Sequence, residues 1–270
     1  MAEKPTIKPP SPELWDHYAE AYGANLARLA GGPYALLLNA AEVRSGCKLV
    51  DLGCGPGHLS SEALRRGAEV VGVDFSEKML DLARYNAADA EMRFGDAASL
   101  PVDRRWADAV IANFVLHLLP DPIAAILDST RIMASGGTFA ATVWRPHEEN
   151  PAIGLFYAAM KQCGLEVPDA TQAGPPLWDR DHFTRALARA RLDSTEVRNV
   201  EWIMRVRPDE WWAAMVRGGP VTGAILTSLD QPTHDKVRSA FLTLMARLPK
   251  EDDEVLLPAR AILGTGRVVR

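Results

Sequence analysis

The apolar and polar positions of this chain fall into short apolar runs alternating with helically spaced stretches. From Cys47, "KLVDLG" has the length and content of a buried strand, and "GHLSSEALRRG" has helical spacing and stops on Gly67. "AEVVGVD" is a second apolar strand, followed by "SEKMLDLARYNAA", a helix with Ser76 at its cap. "EMRFGD" reads as strand three and "ADAVIANFVL" as strand four. Asp121 or a neighbour opens a helix through "PIAAILDSTRIM", and "GGTFAATVW" is strand five. Strands that alternate with helices imply right-handed crossovers, and therefore a parallel sheet covered on both faces.

The flanking regions carry other patterns. Residues 1–12 hold four prolines and read as a flexible lead-in. "SPELWDHYAEAYG" reads as a helix, with Ser11 able to cap it, Pro12 suited to its first position, and Trp15, Tyr18 and Tyr22 on one face. After strand five, "HEENPAIGLFYAAMKQCG" and "DRDHFTRALARARL" look helical and are separated by the loop "VPDATQAGPP". "STEVRNVEWIMRV" alternates like a strand. Helices over "RPDEWWAAMVRGG", "PVTGAILTSLD" and "PTHDKVRSAFLTLMARL" then precede a last strand, "DEVLLPARAILGTGRV". About forty helical residues between strands six and seven are too many for a hairpin connection, and predict a cap over the carboxyl edge of the sheet. The expected divisions are a lead-in at 1–12, closing helices at 13–45, a ligand-binding core at 46–145, and the remaining strands with the cap at 146–270.

Composition narrows the class. The 270 residues carry 30 basic and 35 acidic side chains, a net charge of -5, which argues against a nucleic-acid footprint. Three cysteines without metal-ligand spacing fit reduced thiols in the cytoplasm, and no metal site is expected. The N-terminal "MAEKPTIKPPSPE" is polar and proline-rich, unlike a signal peptide, and no run is long enough for a membrane span.

Candidate chemistry concentrates in "VDLGCGPGHLS". Directly after an apolar run and Asp51, glycines recur at 53, 55 and 57. A loop following the first strand of a parallel sheet faces the ligand, and glycines let its backbone approach closely. A dinucleotide loop would carry glycine at position 58, where this chain has His58. An acid beside the loop suits a cationic ligand better than a pyrophosphate.

These residues resemble the first motif of the S-adenosylmethionine-dependent methyltransferases with a Rossmann-like fold, and the likeness spans roughly residues 14–145. "VVGVDFS", "FGDAASLP", "NFVLHLLPD" and "MASGGTFAATVW" continue it in order. The nearest likeness is to the ubiquinone and menaquinone methyltransferases. The resemblance implies an α/β fold with a seven-stranded, mostly parallel sheet, an antiparallel last strand, helices on both faces and a helical cap near the C-terminus. It implies S-adenosyl-L-methionine as cofactor and S-adenosyl-L-homocysteine as product. Gly53, Gly55 and Gly57 would line the methionine moiety, with Asp51 orienting the loop and attracting the ammonium. Asp74, beside Phe75, would bind the ribose hydroxyls, and Asp96 with the Ala97 N–H the adenine. Met79 would pack on the adenine face or be plain core. Asn113 and Phe114 would lie near the sulfonium. Tyr18 and Tyr22 would close over the cofactor or simply staple their helix down.

His117, just past strand four, is the first candidate for a general base, with His147 second; the bland alternative is that it packs under the cap or only binds substrate. His58, inside the glycine loop, reads as structural or a neighbour of the cofactor rather than a base, and His182 and His234 as surface or cap residues. Trp144, Trp178, Trp202, Trp211 and Trp212 would either line a pocket for a flat or apolar small molecule or glue the cap down. Arg145, Arg205 and Arg207 are candidates for holding a substrate carboxylate. The function this implies is methyl transfer to O, N or C of a small metabolite, aromatic or apolar, by a monomer or homodimer in the cytoplasm. The alternatives are a scaffold that binds the cofactor for cyclisation or rearrangement, and a different nucleotide-binding or interaction protein.

Overall fold

The computed structural model describes residues 11–167, 177 and 179–269. Most of the expected lead-in, most of "VPDATQAGPP" and Trp178 lie outside the described residues. Pro12 belongs not to a lead-in but to the first helix, α1 (Pro12–Ala21), where the Ser11 hydroxyl accepts from the Leu14 N–H. A π turn, Tyr22–Leu26, follows, and then α2 (Ala27–Ala30) and α3 (Tyr34–Ala40).

The core alternates as its pattern requires: β1 (Lys48–Leu52), α4 (His58–Arg65), β2 (Glu69–Asp74), α5 (Glu77–Asn86), β3 (Glu91–Phe94), β4 (Ala107–Asn113), α6 (Pro122–Ile132) and β5 (Met133–Trp144). Caps stand where short polar side chains precede apolar runs: Ser76 accepts from Met79 N–H at 3.1 Å and Asp121 from Ala124 N–H at 2.9 Å. Strand four stops earlier than its apolar run suggests. Phe114 turns into the left-handed region at φ 59°, and a short 3-10 turn, Leu116–Leu118, takes up the remaining apolar residues.

After β5 come α7 (Pro151–Gln162), α8 (Arg180–Arg189), β6 (Asp193–Val206), α9 (Pro208–Gly218), α10 (Pro220–Thr227), α11 (Gln231–Met245), β7 (Lys250–Glu251) and β8 (Glu254–Arg267). The sheet has the order β3-β2-β1-β4-β5-β8-β6. The first five of these strands pair in parallel, and β8 is antiparallel to both β5 and β6. The expected seven strands are joined by an eighth, the two-residue β7 paired on β8.

Two features of this sheet position the site. The order reverses between β1 and β4, and their carboxyl ends open the crevice in which sheets of this kind take ligands. The pair β6–β8 also outruns its neighbour: the β5–β8 ladder ends at Trp144↔Ala261, but β6–β8 continues to Val206↔Val255. This two-stranded arm carries the cap. Its inner residues Met204, Val206, Val255 and Leu257 join α7, α9, α10 and α11 in one apolar core, with Trp211, Trp212, Phe156 and Phe241 buried among them. Leu26 and Leu29 of the N-terminal segment enter that core too. The two faces of the sheet have separate cores, one under α6 and α8 around Phe139 and Phe183, the other under α3 and α4 around Leu37, Leu49 and Ile111.

Candidate active site

Asp51 ends the apolar run of β1 and is 1% exposed. Its neighbour is Ser60 on α4, whose hydroxyl donates to Oδ2 at 2.6 Å. Asp74 closes β2. Its Oδ2 accepts from the Gly55 N–H at 2.9 Å and its Oδ1 from the Ser76 N–H at 3.0 Å. Each carboxylate oxygen holds two lone pairs, so Asp74 keeps acceptor capacity on both oxygens.

Burial pushes the Asp51 carboxyl up to about 7; the Ser60 hydrogen bond only partly offsets this, and the charge of Asp74 adds to it. Burial pushes Asp74 up to about 6 against the backbone N–H groups that favour its charged form. Among the described residues neither carboxyl forms an ion pair, and a positive charge brought beside either would favour its ionised form.

The loop between these acids is pinned to β2, since both Gly53 and Cys54 donate to the Val73 carbonyl, at 2.7 and 3.1 Å. Gly57 caps α4 at φ 80°, and a Cβ there would stand 2.8 Å from Ala83 Cα of α5. At Gly55, φ 52°, a Cβ would meet nothing within 4 Å. Its backbone therefore borders open space beside Asp74, where a ligand can lie against it.

Tyr22 feels the charge of Asp74, and with burial its phenol is pushed up to about 12. Tyr34, at the start of α3, has its phenol pushed still higher by burial and by its neighbours Tyr22 and Asp51. Tyr34 was not legible as a site residue, because it sits in an apolar helix start without a motif around it.

The other expected site residues divide. Phe75, at the tip of β2, keeps 37% of its surface exposed, while Met79 is buried at 2%. Asp96 is exposed, with Oδ1 accepting from the Ala98 N–H at 2.8 Å, and Ala97 packs its side chain on the α6-side core. Gly53 packs under Val115, whose Cγ2 lies 2.4 Å from where a Cβ would be. Asn113 is tied at both ends: Nδ2 donates to the Ala30 carbonyl at 3.0 Å and Oδ1 accepts from the Thr142 hydroxyl at 2.7 Å. Phe114 lies flat on Trp144, ring centroids 3.5 Å apart, with Trp202 at 6.2 Å. Tyr18 and Tyr22 both pack on the cap: Tyr22 lies against its apolar core, and the Tyr18 hydroxyl is 3.1 Å from the place of a Cβ at Gly223.

His117 sits in the 3-10 turn after β4. Its Nδ1 is buried with no hydrogen-bond partner among the described residues, and burial lowers the ring to about 4, so the imidazole is neutral at ordinary pH. His147 lies against the Tyr157 ring and beside Glu148. His182 pairs with Asp179 and His234 packs on Trp212. The three candidate arginines are engaged elsewhere: Arg145 with Glu149, Arg205 with Glu251 and Glu254, and Arg207 with Glu210. Among the described residues no cluster of three His, Cys, Asp or Glu could hold a metal, and no helix is long and apolar enough to cross a membrane.

Residues 50–141 match the family described as methyltransferase domain. Demethylmenaquinone methyltransferase of Staphylococcus aureus is 36% identical over 101 residues, which cover 35% of this chain and 42% of that protein. The match therefore spans about two fifths of that curated relative. Among solved structures, YcgJ of Bacillus subtilis superposes with a TM-score of 0.57 at 18% identity, covering 88% of this chain and 98% of that one. Phosphoethanolamine N-methyltransferase 2 of Haemonchus contortus, solved with phosphomonomethylethanolamine and S-adenosylhomocysteine, gives 0.52 at 17%, covering 87% of this chain and 52% of that one. At such identities the structural likeness speaks to the fold. Residues 50–141 are thus similar to a methyltransferase domain, and the demethylmenaquinone enzymes are among the proteins that share this likeness.

Proposed function

We propose that this protein transfers a methyl group from S-adenosylmethionine to a small, uncharged or apolar metabolite. The observation that carries the proposal is the pair of buried carboxyls at the ends of β1 and β2, Asp51 and Asp74, with open space over Gly55, whose N–H donates to Asp74. A buried anion pair without a cation is costly, and a ligand carrying an ammonium and a sulfonium offsets that cost. The residues fit: Asp74 has free lone pairs for a ribose diol, Gly55 leaves room for close approach, and exposed Phe75 and Asp96 lie on the adenine side. Gly53, Gly57 and Met79 complete the wall, and Tyr22 closes it. Bound there, S-adenosylmethionine supplies an electrophilic methyl on sulfur.

The chain's own part is binding, orientation, exclusion of water and proton handling. Asp51 holds the cationic end and Asp74 the sugar. The N-terminal helices and the cap share one apolar core over the crevice and keep water out. His117 presents an unpartnered Nδ1 that can take a proton from the acceptor. A base held near 4 gives little driving force, so it favours an acceptor that is itself acidic or attacks without prior deprotonation. The demethylmenaquinone enzyme among the relatives supports a flat, apolar acceptor.

The test is release of S-adenosylhomocysteine when protein and S-adenosylmethionine meet a panel of phenols, hydroquinones and aliphatic alcohols or amines. Product with one class defines the acceptor. Cofactor binding without product from any class, including extracts of apolar metabolites, would count against transfer.

A further inference from the structure

His58 stands where a dinucleotide loop would carry its third glycine, and the functional reading leaves it without a task. From the first position of α4 its ring reaches back to the π turn, where Nε2 lies 3.2 Å from the Gly23 carbonyl oxygen. A carbonyl only accepts, so Nε2 carries the hydrogen. The surroundings brace this contact. A Cβ at Gly23 would stand 3.3 Å from the Pro56 Cβ, and the Pro56 carbonyl is held by Asn86 Nδ2 at 2.8 Å.

The turn itself is an interruption of helical bonding. The Ala27 N–H reaches back to the Tyr22 carbonyl, and Asn25 Nδ2 donates to the Ala21 carbonyl at 2.8 Å. Such turns are rare and concentrate where a side chain must be aimed. Here the side chain that leaves the turn is Tyr22, edge-on to Trp15 with centroids 5.3 Å apart and packed against the cap core. The opposite side of the turn meets the cap: a Cβ at Gly218 of α9 would come within 2.9 Å of the Ala21 carbonyl and 3.3 Å of Tyr22 Cα.

We propose that His58 is a positioning residue: its Nε2–H latches the π turn to the glycine loop, fixes the turn from which Tyr22 projects, and links loop and cap. The identity of the ligand rests on the functional reading above; the latch itself does not.

The test uses the full chain with His58→Leu, which removes the donor, and His58→Gln, whose Nε2–H can take its place. Deuterium exchange of amides 22–30 in the ligand-free protein reads the latch directly, and calorimetry with S-adenosylmethionine reads its consequence. In His58→Leu exchange should quicken about 5- to 10-fold and affinity should fall by a similar factor, the effect of one lost hydrogen bond. His58→Gln should restore most of both. Adding Tyr22→Phe to His58→Leu should cost less than the two single changes combined. Unchanged exchange in His58→Leu overturns the proposal. So does an equal loss in His58→Gln, since ring packing rather than the donor would then matter. If His58→Leu does not fold, His58→Asn, too short to reach Gly23, replaces it in the same comparison with His58→Gln. A wild-type protein that binds no S-adenosylmethionine yet shows the expected exchange pattern removes the ligand and leaves the latch.

Discussion

The tips of β1 and β2 and the region of β4 to β6 around Phe114 both bury polar groups, but they treat them in opposite ways. At the tips of β1 and β2 every buried acid has a partner: Asp51 has Ser60, and Asp74 has the N–H groups of Gly55 and Ser76. In the second, His117 Nδ1, in the turn after β4, and Trp202 Nε1, on β6, are buried without partners among the described residues. A satisfied buried network fixes one geometry, whereas an unpartnered buried atom costs free energy until something pairs with it. The contrast is between a polar network that is complete within the chain and buried atoms that are not.

The largest expected effect tests the built side through its backbone. Gly57→Val forces a β-branched residue to φ 80° and drives its Cβ against Ala83 Cα, at a cost of about 3 kcal/mol or more; a thermal melt should show a large drop or no folded protein. Next, Asp74→Ala should weaken S-adenosylmethionine binding on the order of 100-fold through two lost charge-assisted hydrogen bonds, with little loss of fold, because a costly buried carboxyl goes too. Calorimetry beside a melt separates the two readings. On the unpartnered side the signs reverse. His117→Leu should raise the melting point of the ligand-free protein by roughly the 1 kcal/mol released when an unpaired buried nitrogen is removed, while methyl transfer slows. Trp202→Phe removes the second unpartnered atom with a smaller change of ring and should leave stability within about 1 kcal/mol of wild type. A marked destabilisation from either change would mean that these atoms have partners, and would dissolve the contrast.

The carboxyls add a pH signature. Asp51 and Asp74 have their folded values raised, to about 7 and about 6, above the ordinary range for a carboxyl. The folded, ligand-free protein therefore binds more protons than the unfolded chain between about pH 4 and 7. Their contribution to stability is full below that window and is lost as pH rises through 6 and 7. A cationic ligand selects the ionised carboxyls, so the same rise in pH should strengthen its binding.

What the sequence disclosed follows the same division. The strand tips were legible because local chemistry specifies them: an apolar run, an acid and glycines at fixed spacing leave few alternatives, and Ser76 and Asp121 cap the helices expected of them. The cap was legible as helices between β6 and the last strand, but not as a layer sharing its core with Leu26 and Leu29 of the N-terminal segment, because that sharing is tertiary. Tyr18 and Tyr22 looked equivalent at helical spacing. The π turn begins at Tyr22, and both rings meet the cap, Tyr18 at Gly223 and Tyr22 at its apolar core. Strand four looked longer than it is, since nothing in the apolar run "NFVL" announces the left-handed turn at Phe114 that stacks its ring on Trp144. Tyr34 carried no signal at all, because its place beside Tyr22 and Asp51 depends on how α3 folds back over β1.

The most direct measurement is calorimetric titration of S-adenosylmethionine into the wild-type protein at several pH values from 5 to 8, in buffers of different ionisation enthalpy. Affinity should climb through pH 6 to 7, with protons released on binding below that point and none above it. Binding with no pH dependence and no proton release, or no binding by folded protein at any pH, would contradict a site built around two buried, cation-seeking carboxyls.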